Sequence, residues 1–159
     1  RKLVVFLFLA LAATGSFFAA KGRVVKVTDG DSITVLSEGG RMEQVRLYGV
    51  DCPEYRQKGG PEAAAFTGEL ALFSHVSLTV VEKDQYGRSV AVVRLPDGRT
   101  LNEELVREGH AWVYRRYCDQ PICVSWLALE RQAKKQGRGL WRGKNPMPPW
   151  QWRRANASR

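Results

Sequence analysis

The chain has 159 residues, 44% of them apolar and 26% charged, which suits one globular domain and argues against wholesale disorder. Lys and Arg number 25 against 16 Asp and Glu, a formal charge of +9, so an anionic partner is favoured: nucleic acid, an anionic membrane surface or an acidic polymer. Only two histidines, His75 and His110, are present, which disfavours mechanisms built on a histidine pair or a His metal cluster.

Arg1 and Lys2 precede an 11-residue apolar run, Leu3 to Ala13, followed by small residues around Thr14, Gly15 and Ser16. That order reads as a secretory signal peptide over 1–20 with several small-residue cut sites, and places the protein in a secreted or periplasmic location. The alternative is an uncleaved membrane anchor, since Leu3 to Ala20 is 18 residues. A cut at Ala20 removes two cations and no acid, so the remainder stays basic.

Gly22–Thr28, Ser32–Ser37 and Glu43–Val50 read as strands, the first two joined at Asp29-Gly30-Asp31. Asp51 to Gly60 is a polar loop, and Pro61 opens a helix through Phe73. Val76–Val81 and Ser89–Leu95 are two more strands. Asn102 is placed to cap a short helix ending at Gly109, and a third helix runs from Val124 to Gln136 with Gly137 as its stop. Five short strands with three α-helices predict an α+β protein, a five-stranded OB-fold barrel, with the domain over 21–142. A basic Pro/Trp-rich tail follows over 143–159. From Arg131 onward there are nine Lys or Arg and no acid, with Trp141, Trp150 and Trp152 among them. Trp141 is expected to pack back on the barrel; Trp150 and Trp152 could stack on bases or pack as well. His110 and Trp112 are expected to be structural.

Cys118 and Cys123 flank a turn at Pro121, and an oxidising compartment would let them form a disulfide; otherwise they are two unpaired thiols. Cys52 is left over.

Asp29-Gly30-Asp31 alone is an ordinary turn. Its weight grows with Arg46, Asp51 and Glu54, which a strand end and a Pro-containing loop can bring together, and with Arg88 beside Tyr86-Gly87 between two strands. Carboxylate oxygens bind hard divalent cations, a carboxylate can take a proton from water, and guanidinium forks fit phosphate oxygens. This is the equipment of metal-assisted phosphodiester cleavage, and it needs no histidine.

The motifs VTDGDSITV, VRLYGVDCPE, KDQYGRSVA, LNEELVREGHAWVYRRY and GLW, in this order over about Gly22 to Trp141, resemble the staphylococcal nuclease (thermonuclease) family. The resemblance implies an OB-fold barrel with three helices and Ca²⁺-dependent hydrolysis of DNA and RNA to 3′-phosphate ends. Carried over by position, Asp31 and Asp51 ligate Ca²⁺ and Cys52 adds its main-chain carbonyl, where the best-known member has Thr. Glu54 is the general base or water-orienting group. Arg46 and Arg88 stabilise the transition state. Tyr86 flanks a nucleotide phosphate and Tyr117 stacks on a base, and Arg115, standing where a partner tyrosine is usual, is the third expected nucleic-acid-binding residue. Ser32 replaces Thr, and Gln85 replaces a Lys. The expected substrate is single-stranded or frayed nucleic acid and the expected state a monomer. Two other classes fit more loosely: a catalytically silent OB module binding single-stranded nucleic acid, and a membrane-tethered binder of an acidic polymer.

Overall fold

The computed structural model describes residues 19–157. The signal-peptide or anchor segment therefore lies outside the described residues, apart from its last two alanines. Among the described residues no helix is long and apolar enough to cross a membrane.

Five strands close into a barrel in the order β1 (Ala19–Asp29), β2 (Ser32–Ser37), β3 (Met42–Leu47), β6 (Ser89–Arg94) and β5 (His75–Lys83), with β5 returning to β1. Every pairing is antiparallel except β3 with β6, which is parallel and sets Arg46 opposite Val90. Alternation builds this core. Ile33 and Val35 of β2, Val45 and Leu47 of β3, and Ala91 and Val93 of β6 all point inward and are buried. The fold class expected from the sequence is the one observed.

The third strand does not run from Glu43 to Val50 as its apolar pattern suggests. It stops at Leu47, and Gly49 turns the chain with φ 69°. A Cβ at Gly49 would also meet Cys118 Sγ at 2.5 Å, so the turn needs glycine twice over. After it, β4 (Val50–Asp51) leaves the barrel and pairs with β7 (Trp112–Val113), Asp51 opposite Trp112. At the other end, β1 begins earlier than expected, because Ala19 and Ala20 pair with Thr79 and Leu78.

Helix α1 (Gly60–Ala71) starts beside Pro61 as the sequence suggests. In α2 (Leu101–Arg107) the cap residue is Thr100, not Asn102. Asn102 is instead fully buried: its amide donates to Tyr48 O at 2.9 Å and Ala91 O at 3.2 Å and accepts from Val93 N–H at 3.0 Å. Its side chain thus meets backbone groups that would otherwise go unpaired in the interior. Helix α3 (Ile122–Gln136) ends at Gly137 in the left-handed conformation, as foreseen. It seats Trp126 in the core.

A fourth helix, α4 (Pro149–Asn156), was not evident in the tail. Pro149 is buried, and the Trp150 ring lies parallel to Tyr114 with centroids 5.4 Å apart. Trp141 packs edge-on against buried Trp112 at 5.0 Å, as expected. Trp150 therefore holds α4 against the domain through Tyr114 and Trp112.

Cys118 and Cys123 form a disulfide, with Cα atoms 5.7 Å apart. The enclosed loop is fastened to the core by the Tyr48 hydroxyl, which accepts from the Asp119 and Gln120 N–H groups and donates to Asp119 Oδ1 at 2.6 Å.

Candidate active site

The turn between β1 and β2 is pressed against the loop after β4. A Cβ on Gly30 would lie 2.7 Å from Ala63 Cβ and 2.8 Å from Cys52 Cβ and Sγ. Only a residue without a side chain lets the two segments approach this closely. Thr67 of α1 fixes the turn from below by donating its hydroxyl to Gly30 O at 2.6 Å. As a result Asp31 Oδ2 accepts the Cys52 N–H at 2.6 Å, and Asp31 and Asp51 enter one buried cluster.

Arg46 joins the two carboxylates from β3. Its Nη1 is 2.9 Å from Asp31 Oδ2 and its Nη2 is 2.9 Å from Asp51 Oδ1. The cross-strand pair Ser32–Arg46 explains the placement, since it sets the guanidinium beside the residue after Asp31. Burial opposes charge on Arg46, but Asp31 and Asp51 overcome it and hold the group protonated. Burial pushes Asp31 up to about 8, against the pull of Arg46 and with the help of Asp29 and Asp51.

These groups line one cavity of about 670 Å³. Glu54 stands on its wall, with its backbone N–H bonded to Gln57 Oε1 at 3.2 Å. Arg88 enters from the β5–β6 turn, where Asp84 Oδ2 accepts from its Nε at 2.7 Å. Tyr86 and Tyr117 also line it, 76% and 51% exposed, with the Arg88 guanidinium 5.6 Å from the Tyr86 ring centre and that of Arg116 5.6 Å from the Tyr117 ring centre. Eight of the nine expected catalytic, metal and nucleic-acid residues thus share one cavity. Arg115 is the exception. It belongs to the 3-10 turn Arg115–Tyr117 and lines a separate hollow with Trp112 and Arg154, because that turn points Tyr117 inward and Arg115 away.

Sequence reasoning missed Arg153. From α4 its Nη1 donates to Glu54 Oε1 at 2.7 Å and Asp51 Oδ1 at 3.2 Å, and its Nη2 donates to Asp51 Oδ2 at 2.9 Å. Burial works against its charge, but hydrogen bonds to Asp51 and Glu54 raise its affinity for the proton further. The run of cations in the tail was visible, but nothing in their spacing separates Arg153 from Arg154.

Six acidic residues and four cationic ones line this cavity, in a protein whose overall charge is +9. An acidic cavity repels a phosphodiester unless a cation intervenes. Hard carboxylate oxygens suit Ca²⁺ or Mg²⁺. Among the described residues no three His, Cys, Asp or Glu side chains form a metal-holding group. Asp31 and Asp51 bring two carboxylates into one buried cluster, and oxygen donors of that kind suit a hard divalent cation. The Cys52 thiol takes no part: it is buried, and burial lifts its pKa well above the usual thiol range.

The staphylococcal nuclease homologue family profile matches residues 44–143. The chain belongs to the staphylococcal nuclease family. Its relatives include an uncharacterized endonuclease of Escherichia coli O157:H7, 39% identical over 83% of this chain and 84% of its own length. A micrococcal nuclease of Shigella flexneri is 38% identical over 86% and 82%. Protein ParB of Escherichia coli is 32% identical over 96% and 90%. The family profile ends before α4 and so does not include Arg153.

Proposed function

We propose that the protein is an exported Ca²⁺-dependent nuclease that hydrolyses phosphodiester bonds of DNA and RNA with low sequence specificity and leaves 3′-phosphates. The observation that carries this reading is the single cavity gathering Asp31, Arg46, Asp51, Glu54 and Arg88. Names of the relatives, endonuclease and micrococcal nuclease, support the hydrolase class. The Cys118–Cys123 disulfide supports an oxidising, extracytoplasmic compartment.

Asp31, Asp51 and the Cys52 carbonyl would hold the cation. When bound, it supplies Lewis-acid polarisation of a phosphate oxygen. Glu54 orients a water molecule and takes its proton as the water oxygen bonds to phosphorus. The bond from phosphorus to the 5′ oxygen breaks, and the departing oxygen, hydrogen-bonded by a guanidinium, takes a proton from water. Arg46 and Arg88 offer fixed N–H groups to the charge that builds on the phosphate oxygens. Tyr86 and Tyr117 offer ring faces to the flanking nucleotides, a contact that tolerates any sequence.

The test is a cleavage assay on single- and double-stranded DNA and on RNA, with added Ca²⁺ or excess chelator, followed by end analysis. Cleavage that stops in chelator and leaves 3′-phosphates is expected. Full cleavage of denatured DNA in chelator would remove the metal from the mechanism. Binding of nucleic acid without cleavage would favour the silent OB module instead.

A further inference from the structure

The outer edge of the metal-ligand pair is already filled by the protein itself. Asp51 is fully buried, and both of its carboxylate oxygens accept from Arg153, Oδ1 at 3.2 Å and Oδ2 at 2.9 Å. Oδ1 accepts from Arg46 as well. A guanidinium fork lies along the same lone pairs that a bound cation uses. Arg153 also engages Glu54 at 2.7 Å, so one side chain holds the proposed ligand and the proposed base together.

The arm is deliverable and releasable. Its helix is docked by contacts that do not involve the carboxylates: Trp150 on Tyr114, buried Pro149, and Met147 O accepting from Gln57 Nε2 at 2.6 Å. Gln57 in turn holds the Glu54 backbone, so the loop carrying Glu54 and the segment leading into α4 share a fastening. Arg153 itself is 39% exposed, against 16% for Arg46. Water already borders it, and its side chain can swing away while α4 stays in place.

We propose that Arg153 is a built-in counter-ion of the metal site. It neutralises Asp51 and Glu54 while no cation is bound, and it must withdraw from Asp51 for a divalent cation to bind. It therefore sets the cation concentration at which the site fills. This rests on the calcium-dependent reading of the cavity, and it concerns a residue outside the family profile.

The experiment is calcium titration by calorimetry, without nucleic acid, on the full chain and its Arg153→Ala and Arg153→Lys variants, with circular dichroism to confirm folding. Thermal midpoints are recorded with and without Ca²⁺. Arg153→Ala is expected to bind Ca²⁺ about tenfold more tightly, a coupling of ordinary size between competing ligands. Arg153→Lys should fall between, because an ammonium cannot fork two oxygens. The rise in midpoint on adding Ca²⁺ should be larger in Arg153→Ala than in the wild type, since tighter binding stabilises more. A residue that merely tethers α4 would lower both midpoints together. Equal or weaker Ca²⁺ binding by Arg153→Ala, with wild-type binding intact, overturns the proposal and leaves the calcium reading standing. Binding by Arg153→Ala alone supports it. Binding by none of the three overturns both.

Discussion

Asp84 holds Arg88 from two sides. Its Oδ2 accepts from the guanidinium Nε at 2.7 Å, while its Oδ1 accepts the backbone N–H of Arg88 at 3.0 Å and of Tyr86 at 2.9 Å. Burial nudges the Asp84 carboxyl upward, but these donors outweigh it and hold the pKa below the usual range. The turn thus aims its arginine before any substrate arrives. If Arg88 is the transition-state donor proposed above, Arg88→Ala should lower kcat by about 10²–10³. Asp84→Ala should lower it less, by roughly tenfold, because the guanidinium remains but is no longer aimed. Steady-state kinetics on single-stranded DNA decides; equal kcat in Asp84→Ala and wild type would leave Asp84 a turn residue only.

Gly30 is where the site and the fold meet. Gly30→Ala forces the β1–β2 turn away from Cys52 and Ala63 and should cost about 1–3 kcal/mol by overpacking. It should also weaken metal binding, since Asp31 is displaced from the Cys52 N–H. Urea unfolding and calcium titration of the same sample would check both; a variant as stable and as tightly binding as wild type would show that the two segments move apart freely.

Thiol chemistry should separate the three cysteines cleanly. The native oxidised protein should show no reactive thiol and the denatured one a single thiol, from Cys52. Reduction, or a Cys118→Ala/Cys123→Ala double change, should cost about 2 kcal/mol by freeing a short loop in the unfolded chain. Denaturant midpoints with and without reductant measure this, and coincident curves would contradict it.

His110 stacks on Phe66 with ring centroids 4.5 Å apart. Burial depresses its pKa, with Glu108, Glu62 and Glu69 pulling the other way. The unfolded chain therefore takes up a proton first as pH falls below about 6.5, and stability that is intact above that value erodes as acid is added. His110→Phe keeps the stacked ring and removes the titration. Its unfolding free energy should fall less between pH 7.5 and 5.5 than the wild type's; parallel curves would remove His110 as the cause.

Much of this architecture is legible in the residues because alternation and turn chemistry are local. β2 and β6 have the bounds that period-two patterning suggests, give or take one residue. The break after Leu47 is not legible, because the run to Val50 stays apolar and only the packing of Cys118 against Gly49 shows why the chain must bend. The cluster of Asp31, Arg46, Asp51 and Glu54 follows from motifs of fixed spacing. Arg153 does not: its role depends on a helix whose docking is decided by aromatic contacts made across more than thirty residues of chain, between Trp150 and Tyr114.

The parallel β3–β6 seam joins residues 45–47 to 89–91, and two arginines of the cleft, Arg46 within it and Arg88 one residue before it, sit at that junction. Ladder contacts so far apart along a polypeptide carry a large loop-closure cost, so this seam is expected to close late. A molecule with an open seam would hold the two arginines proposed to bind phosphate apart, and is not expected to cut. Turnover is therefore a gauge of complete barrel closure, and a refolding trace followed by enzymatic output should lag one followed by helix formation.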